Sequence, residues 1–396
     1  MNEQPAAPPR PTATQPVTEP FRWTASHVAA IEPTAANTIP PFAADAHGQR
    51  LPDLDVWDMW PVECADGSTP VFAQGRLWIA LAAPVLPDPE DRHALARLHW
   101  VLEDRHGAWH DGGPAFPDDH TPGSREWSGC ALYDPATAQL MCWFTAAGRR
   151  GEPQTTFEQR LFWTQGALAW QDDKPAVAAW STPVQVAAPD NATYLRVVGT
   201  AGAAGTIKAF RDPAYLHDPR SGRHLLFFTA SKPGSASPWN GLIGMAASDA
   251  GPTGPWRLLP PPVCAEGLNN ELERPHMRFK SGLYYLFWST QRKVFAEPGP
   301  KGPTGLYGVV GPSPFGPFTP LNGTGLVAAN PDDAPWQAYS WWVLNDLSVT
   351  SFADLPGVAP GADLDSPALR RQHFAGHPAP WFTLALEGAT TRIVPV

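Results

Sequence analysis

The chain has 396 residues, only 17% of them charged, with a net charge of −10 and no run rich in Lys or Arg. That balance argues against nucleic acid, which calls for a basic stripe, and against a membrane partner. The longest apolar stretch, Leu77 to Leu86, is about half the length that spans a bilayer and carries Pro84. With 48 Pro and 18 Trp, long helices are disfavoured, because an interior Pro removes a backbone donor and clashes with the preceding turn.

In chain order, six of the first twenty residues are Pro, mixed with Ala, Thr and Gln. Residues 1–20 therefore read as a flexible tail that cannot build a core. No basic segment followed by an apolar one occurs there, so no ordinary signal peptide is expected. Strand-like runs follow at Val71 to Ala82, Arg97 to Glu103, Gln139 to Thr145, His224 to Ala230, Met277 to Thr290, Ser340 to Leu344 and Trp381 to Leu386.

Within them a loose pattern repeats: a polar cluster, a strand, a tight turn, then a second apolar strand. It appears as VWDMWP…GRLWIAL, EWSGCALYDPATAQLMCWF, FRDPAYLHDPRSGRHLLFF and ELERPHMRFKSGLYYLFW. Such meanders suit an all-β fold, either a propeller or a β-sandwich. In a propeller, the residues opening the innermost strands converge on one central pocket although distant in sequence.

Cys64, Cys130, Cys142 and Cys264 are scattered and form no CxxC pair, so they read as buried small hydrophobes. Cys130 and Cys142 fall on neighbouring strand segments, which leaves one disulfide open. The twelve His residues show no paired ligand spacing, and no metal is expected.

Three acids open strand-like segments beside aromatic or Arg residues: Asp58 in VWDMWP, Asp212 in FRDP and Glu273 in ELERPH. Each has a plainer reading. Asp before Pro is commonly a turn residue, and Asp58 between Trp57 and Trp60 fits a turn acid among core aromatics. Asn270 and Glu273 fit a helix capping box, but Pro275 would then fall past the first helical turn, where it breaks a helix. Taken together, carboxylates in Trp-rich positions point to sugar chemistry. Trp faces accept sugar C–H groups, and glycoside cleavage needs two carboxyl groups in different protonation states.

The motifs VWDMWP, EWSG, FRDP and ELERPH, with GLYG at 305–308, PLNGTGLV at 320–327 and AYS at 338–340, occur in an order that resembles glycoside hydrolase family 68. These are bacterial sucrose fructosyltransferases and their β-fructofuranosidase relatives, and the pattern looks Gram-negative-like. The resemblance runs from about residue 21 to the end. It implies a single five-bladed β-propeller domain over 21–396 with a central funnel-shaped pocket. It further implies that Asp58 is the nucleophile, Glu273 the general acid and base, and Asp212 the residue that holds fructosyl hydroxyls. Arg211, Trp57, Trp127 and Ser128 would line the fructosyl site. Glu271, Arg274 and Tyr339 would sit toward the glucosyl or acceptor side.

The chain departs from the pattern at three places. Gram-positive members carry Asp before the Glu-x-Glu-Arg run and bind calcium there, whereas this chain has Asn270, so no cofactor is expected. Gln291 stands eighteen residues after Glu273, where many polymer formers have Arg or His, and donates to hydroxyls without charge. Thr229 stands where the family has Glu. The implied partners are sucrose and sugar acceptors; the oligomeric state is not legible. The implied reaction is retaining fructosyl transfer to sugars or water. A mainly hydrolytic β-fructofuranosidase is the alternative, and a non-catalytic sugar-binding propeller a third reading. Sucrose chemistry implies an extracellular or periplasmic location reached without an ordinary signal peptide, with the cytoplasm as the alternative.

Overall fold

The computed structural model describes residues 19–43, 51, 53–196 and 207–394. The expected Pro-rich tail lies, as far as residue 18, outside the described residues. Five antiparallel meanders follow one another along the chain, named here blades I to V. Their innermost strands are Leu54–Glu63, Arg125–Asp134, Phe210–His217, Glu273–Lys280 and Ala338–Val343. Blade I continues through Gly75–Pro84, Arg97–Glu103 and Trp109–Pro114. The other blades repeat that outward order.

The innermost strands touch in the order I–II–III–IV–V and back to I, so the ring is closed. This is a five-bladed β-propeller, not a sandwich. Blades I and II are also joined by parallel pairing of Val62 with Ala131 and Glu63 with Leu132. At that end of the channel, Arg278 grips both oxygens of Glu63 at 2.5 and 3.1 Å and donates to the Val343 carbonyl at 2.6 Å.

High Pro content has the expected consequence: the longest helix among the described residues, Pro367–His373, is seven residues. The fold is held instead by large side chains between blades. Trp57, Trp60, Trp78, Trp100, Trp143, Trp288 and Trp341 are all fully buried. Near the N-terminus, Phe21–Arg22 pairs in parallel with Val263 and Cys264, and Trp23 packs its ring against Trp288, Phe295 and Tyr307. Burying side chains of this size contributes roughly 1.5–3 kcal/mol each.

The run Met277 to Thr290 is a hairpin turning at Ser281 and Gly282. The fifth inner strand starts at Ala338, two residues before the expected Ser340. Cys130 and Cys142 do lie on paired strands, but their register partners are Trp143 and Ala131, and all four thiols are free.

Candidate active site

One local feature recurs in all five blades and builds the site. In each, pairing of the first strand with the second skips a step, after Trp57, Trp127, Arg211, Glu273 and Tyr339. The residues that follow are Asp58, Ser128, Asp212, Arg274 and Ser340. Four of them take left-handed backbone angles, with φ of 36° for Asp58, 60° for Asp212, 50° for Arg274 and 62° for Ser340. Such a conformation is costly for a side-chain-bearing residue and clusters where a bulge re-aims a side chain. Sequence neighbours on a regular strand face opposite sides; the bulge lets Trp57 and Asp58, or Arg211 and Asp212, both line one cavity. Pro213 suits its bulge because no ladder N–H is needed there. In blade II the residue after Ser128 must be Gly129: an added Cβ would lie 1.9 Å from the Trp143 carbonyl oxygen.

Asp58 therefore does not open its strand. It interrupts the middle of Leu54–Glu63. Asp212 and Glu273 do sit at strand starts, and no helix forms at Asn270.

The central cavity, about 290 Å³, brings together the three acids with Trp57, Trp127, Ser128, Arg211, Glu271, Gln291 and Tyr339. Ser128 Oγ donates to Asp58 Oδ2 at 2.8 Å. Arg211 Nη2 donates to Glu273 Oε1 at 2.8 Å, and the Tyr339 hydroxyl donates to Glu273 Oε2. Arg211 also lies 3.6 Å from Glu271 and 3.5 Å from Asp212, while its Nη1, buried in the cavity wall, has no partner. Burial by itself would lower the guanidinium pKa; the three carboxylates overcome that and raise it.

Asp212 receives the Thr229 hydroxyl on Oδ2 at 3.0 Å, and its backbone N–H donates to Thr145 at 2.9 Å. Burial pushes its carboxyl up to about 7, against Arg211 and with help from Glu273 and Asp58. Burial and then the Glu273 charge push Glu271 to about 7 as well. Burial in one pocket thus lifts both carboxyls above the ordinary carboxylate range. Thr229, where the family pattern has Glu, holds Asp212 by a hydroxyl and accepts the Arg274 N–H at 3.2 Å.

Arg274 is a correction. It does not line the cavity on the acceptor side. Its side chain lies beneath the acids, donating to Ser340 Oγ at 2.7 Å and the Met59 carbonyl at 2.9 Å, against the Trp60 and Trp342 rings. Asp58, Asp212 and Glu273 all act on it, so it serves as a buried counter-charge. His276 props this floor. Its Nε2 accepts the Val343 N–H at 2.9 Å, so Nδ1 carries the proton and donates to the Arg274 carbonyl at 3.0 Å. Burial and then the nearby Arg278 hold the ring neutral.

Calcium does not fit beside Asn270. The Lys208 ammonium donates there to Asn270 Oδ1 at 2.6 Å, to Asn240 Oδ1 at 2.7 Å and to the Pro238 carbonyl. A fixed positive charge already takes up the oxygens a hard cation would use.

Sequence reasoning missed part of the wall. Glu90, Arg92 and His93 come from a short 3-10 turn, Pro89–Ala94, and Lys293 and Asp354 from other blades. None belongs to a strand motif. His93 meets the Trp57 ring edge-on at 5.4 Å, and burial lowers its pKa to about 4.

A ring of five bulged strands around paired carboxylates, an Arg and Trp faces defines a glycoside-processing propeller. The levansucrase/invertase model of glycoside hydrolase family 68 matches residues 13–237 and 230–356, and the chain belongs to that family. A levansucrase from Zymomonas mobilis is 29% identical over 413 residues, covering 96% of this chain and 92% of its own. An inulosucrase from Halalkalicoccus jeotgali, solved bound to kestose, superposes with a TM-score of 0.84 at 36% identity, covering 95% of both chains. The levansucrase of Gluconacetobacter diazotrophicus shares the fold with a TM-score of 0.79 at 21% identity.

Proposed function

We propose that this chain is a retaining fructosyltransferase that acts on sucrose. Membership of the levansucrase/invertase family and the levansucrase and inulosucrase relatives support sucrose fructosyl transfer. The observation that carries the division of labour is the convergence of Asp58, Asp212 and Glu273 on one cavity, each with a different partner.

Asp58, oriented by Ser128, attacks the anomeric carbon of the fructosyl group. The glycosidic C–O bond breaks, and the departing glucose oxygen takes the proton from Glu273. Asp212 accepts hydrogen bonds from fructosyl hydroxyls, and the free Nη1 of Arg211 donates to another. In the second half, Glu273 takes the proton from an acceptor hydroxyl. That oxygen bonds to the anomeric carbon as the Asp58 ester bond breaks. Tyr339 and Arg211 hold the Glu273 carboxyl in place through both steps. Gln291 offers the acceptor an uncharged donor. Sugar and water acceptors compete for the same intermediate, so transfer and hydrolysis are one mechanism, and a mainly hydrolytic enzyme is the second reading.

Incubation with sucrose tests this. Asp58→Asn and Glu273→Gln should each lower glucose release at least about a hundredfold. Near-full turnover in Asp58→Asn would sink the assignment. Equal release of glucose and fructose at high sucrose would select the hydrolytic reading.

A further inference from the structure

The bulges take backbone N–H groups out of their own strand ladders. Pairing in blade III skips from Arg211 to Ala214, and in blade IV from Glu273 to His276. Asp212 and Arg274 fall in those gaps and are both buried. An orphaned N–H there is costly, and the preceding blade supplies an acceptor each time. The Asp212 N–H donates to the Thr145 hydroxyl of blade II at 2.9 Å, and the Arg274 N–H to the Thr229 hydroxyl of blade III at 3.2 Å. In blade V the N–H of Trp341, next to the left-handed Ser340, donates to the Ser289 hydroxyl of blade IV at 3.0 Å.

The three hydroxyls occupy one position of the repeat. Thr145 is the register partner of Trp127, Thr229 of Arg211 and Ser289 of Glu273, so each stands on the second strand opposite the residue that opens a bulge. All three are fully buried. Blades I and V carry Leu81 and Phe352 there, and both line the cavity instead. A hydroxyl donates while it accepts, and two of the three thereby reach back into their own blade. Thr145 Oγ1 donates to the Ser128 carbonyl at 3.0 Å, and Thr229 Oγ1 to Asp212 Oδ2 at 3.0 Å. The bonds therefore run in series. They join Ser128, which holds Asp58, to Thr145, then to Asp212, to Thr229 and to the peptide that follows Glu273. From its place opposite Glu273, Ser289 extends the series to the strand of Tyr339, whose hydroxyl holds the Glu273 carboxyl.

We propose that Thr145, Thr229 and Ser289 are positioning residues, a chain of hydroxyls that sets the spacing of Asp58, Asp212 and Glu273 from blade to blade. This rests on the fructosyl-transfer reading above. None of the three lines the cavity. They act on the geometry in which the Asp58 oxygen meets the anomeric carbon while Glu273 protonates the departing oxygen. A small misplacement there slows the chemical step more than it weakens binding.

The test measures initial glucose release from sucrose by the full chain, well below the melting temperature of every variant. Thr145→Val and Thr229→Val keep the side-chain shape and remove the hydroxyl, whereas Thr145→Ser and Thr229→Ser keep the hydroxyl. Thr164→Val is the control: it removes another fully buried hydroxyl of blade II, one that donates to the Ser181 carbonyl at 2.7 Å on the third strand, away from the bulges. In Thr145→Val, Thr229→Val and Ser289→Ala, kcat should fall roughly tenfold with KM within about threefold of the parent. The two Ser variants should recover most of that loss. Thr164→Val should lower the melting temperature and keep kcat within about twofold. Ser289→Ala, the smallest change, decides the matter if the Val variants fail to fold. A lowered melting temperature with kcat within about twofold of the parent in the folded variants means that the hydroxyls only stabilise the fold, and overturns the positioning role alone. An equal loss of kcat in Thr164→Val overturns it as well. A parent that releases no glucose from sucrose overturns the fructosyl-transfer reading and the positioning role with it.

Discussion

Arg371 of blade V holds both carboxylate oxygens of Asp55 in blade I, at 2.6 and 3.0 Å, across the seam where the ring closes. Asp55 is fully buried and lies three residues before Asp58 on the same strand. The neighbouring Arg370 grips Asp88 from the same helix, and Asp88 caps the turn that carries Glu90 and His93. A short helix late in the chain thus fixes the strand that carries Asp58 and one wall of the pocket. Arg371→Ala removes the bidentate counter-charge of this buried carboxylate and should cost about 3–5 kcal/mol. Urea unfolding measures it, and a loss below about 1 kcal/mol would show that the seam closes without this pair.

Ser128 gives Asp58 the single side-chain hydrogen bond seen to its carboxylate among the described residues, at 2.8 Å. A hydrogen bond to a charged group is worth roughly 1.5–3 kcal/mol. Ser128→Ala should therefore lower glucose release from sucrose roughly ten- to a hundredfold, with little change in melting temperature. Gly129→Ala should do the same by another route, pushing the bulge away from the Trp143 carbonyl. It should also lower thermal stability, which separates the two variants in a melting experiment.

The three acids were legible because each lies in a motif with its aromatic or Arg neighbour, and motif order pointed to one ring. The blades were legible as repeated strand–turn–strand units. Geometry at the bulges was not. VWDMWP shows an acid between Trp residues but not that φ at Asp58 is positive, which is what lets consecutive residues share a cavity. For the same reason Arg274 was expected on the acceptor side and lies beneath the acids. Glu90, His93, Lys293 and Asp354 sit in loops whose local sequence carries no pattern. They meet because the ring closes, with Arg370 and Arg371 reaching Asp88 and Asp55 from 282 and 316 residues away.

Lys208 ties three backbone segments together through Pro238, Asn240 and Asn270, and Asn270 in turn donates to the Ile207 carbonyl and to Glu271, at 3.3 and 3.4 Å. Its own pKa is lowered, chiefly by burial, against the pull of Glu271. Lys208→Met leaves two amide oxygens and a carbonyl without this donor. The expected loss is about 1–3 kcal/mol in chemical unfolding, with a raised KM for sucrose because Ile207 and Glu271 line the cavity. A metal chelator should leave the parent's melting temperature unchanged. A drop of several degrees with chelator, reversed by calcium, would show that the ammonium is not the cation that holds this junction.

The raised carboxyl of Asp212 makes a pH prediction with a definite sign. In the unfolded chain this group titrates near the ordinary aspartate value of 3.8, and in the folded protein burial lifts it to about 7. Between those values the native state holds more protons than the unfolded state, so this group's contribution to stability falls as pH rises from about 4 to 7. Asp212→Asn removes that cost while keeping an acceptor for the Thr229 hydroxyl. The variant should match the parent's melting temperature near pH 4 and gain on it steadily toward pH 7, while its glucose release drops at least about a hundredfold. A pH-independent difference in melting temperature would mean that Asp212 stays ionised in the pocket, held by Arg211 and Thr229 against the cost of its burial.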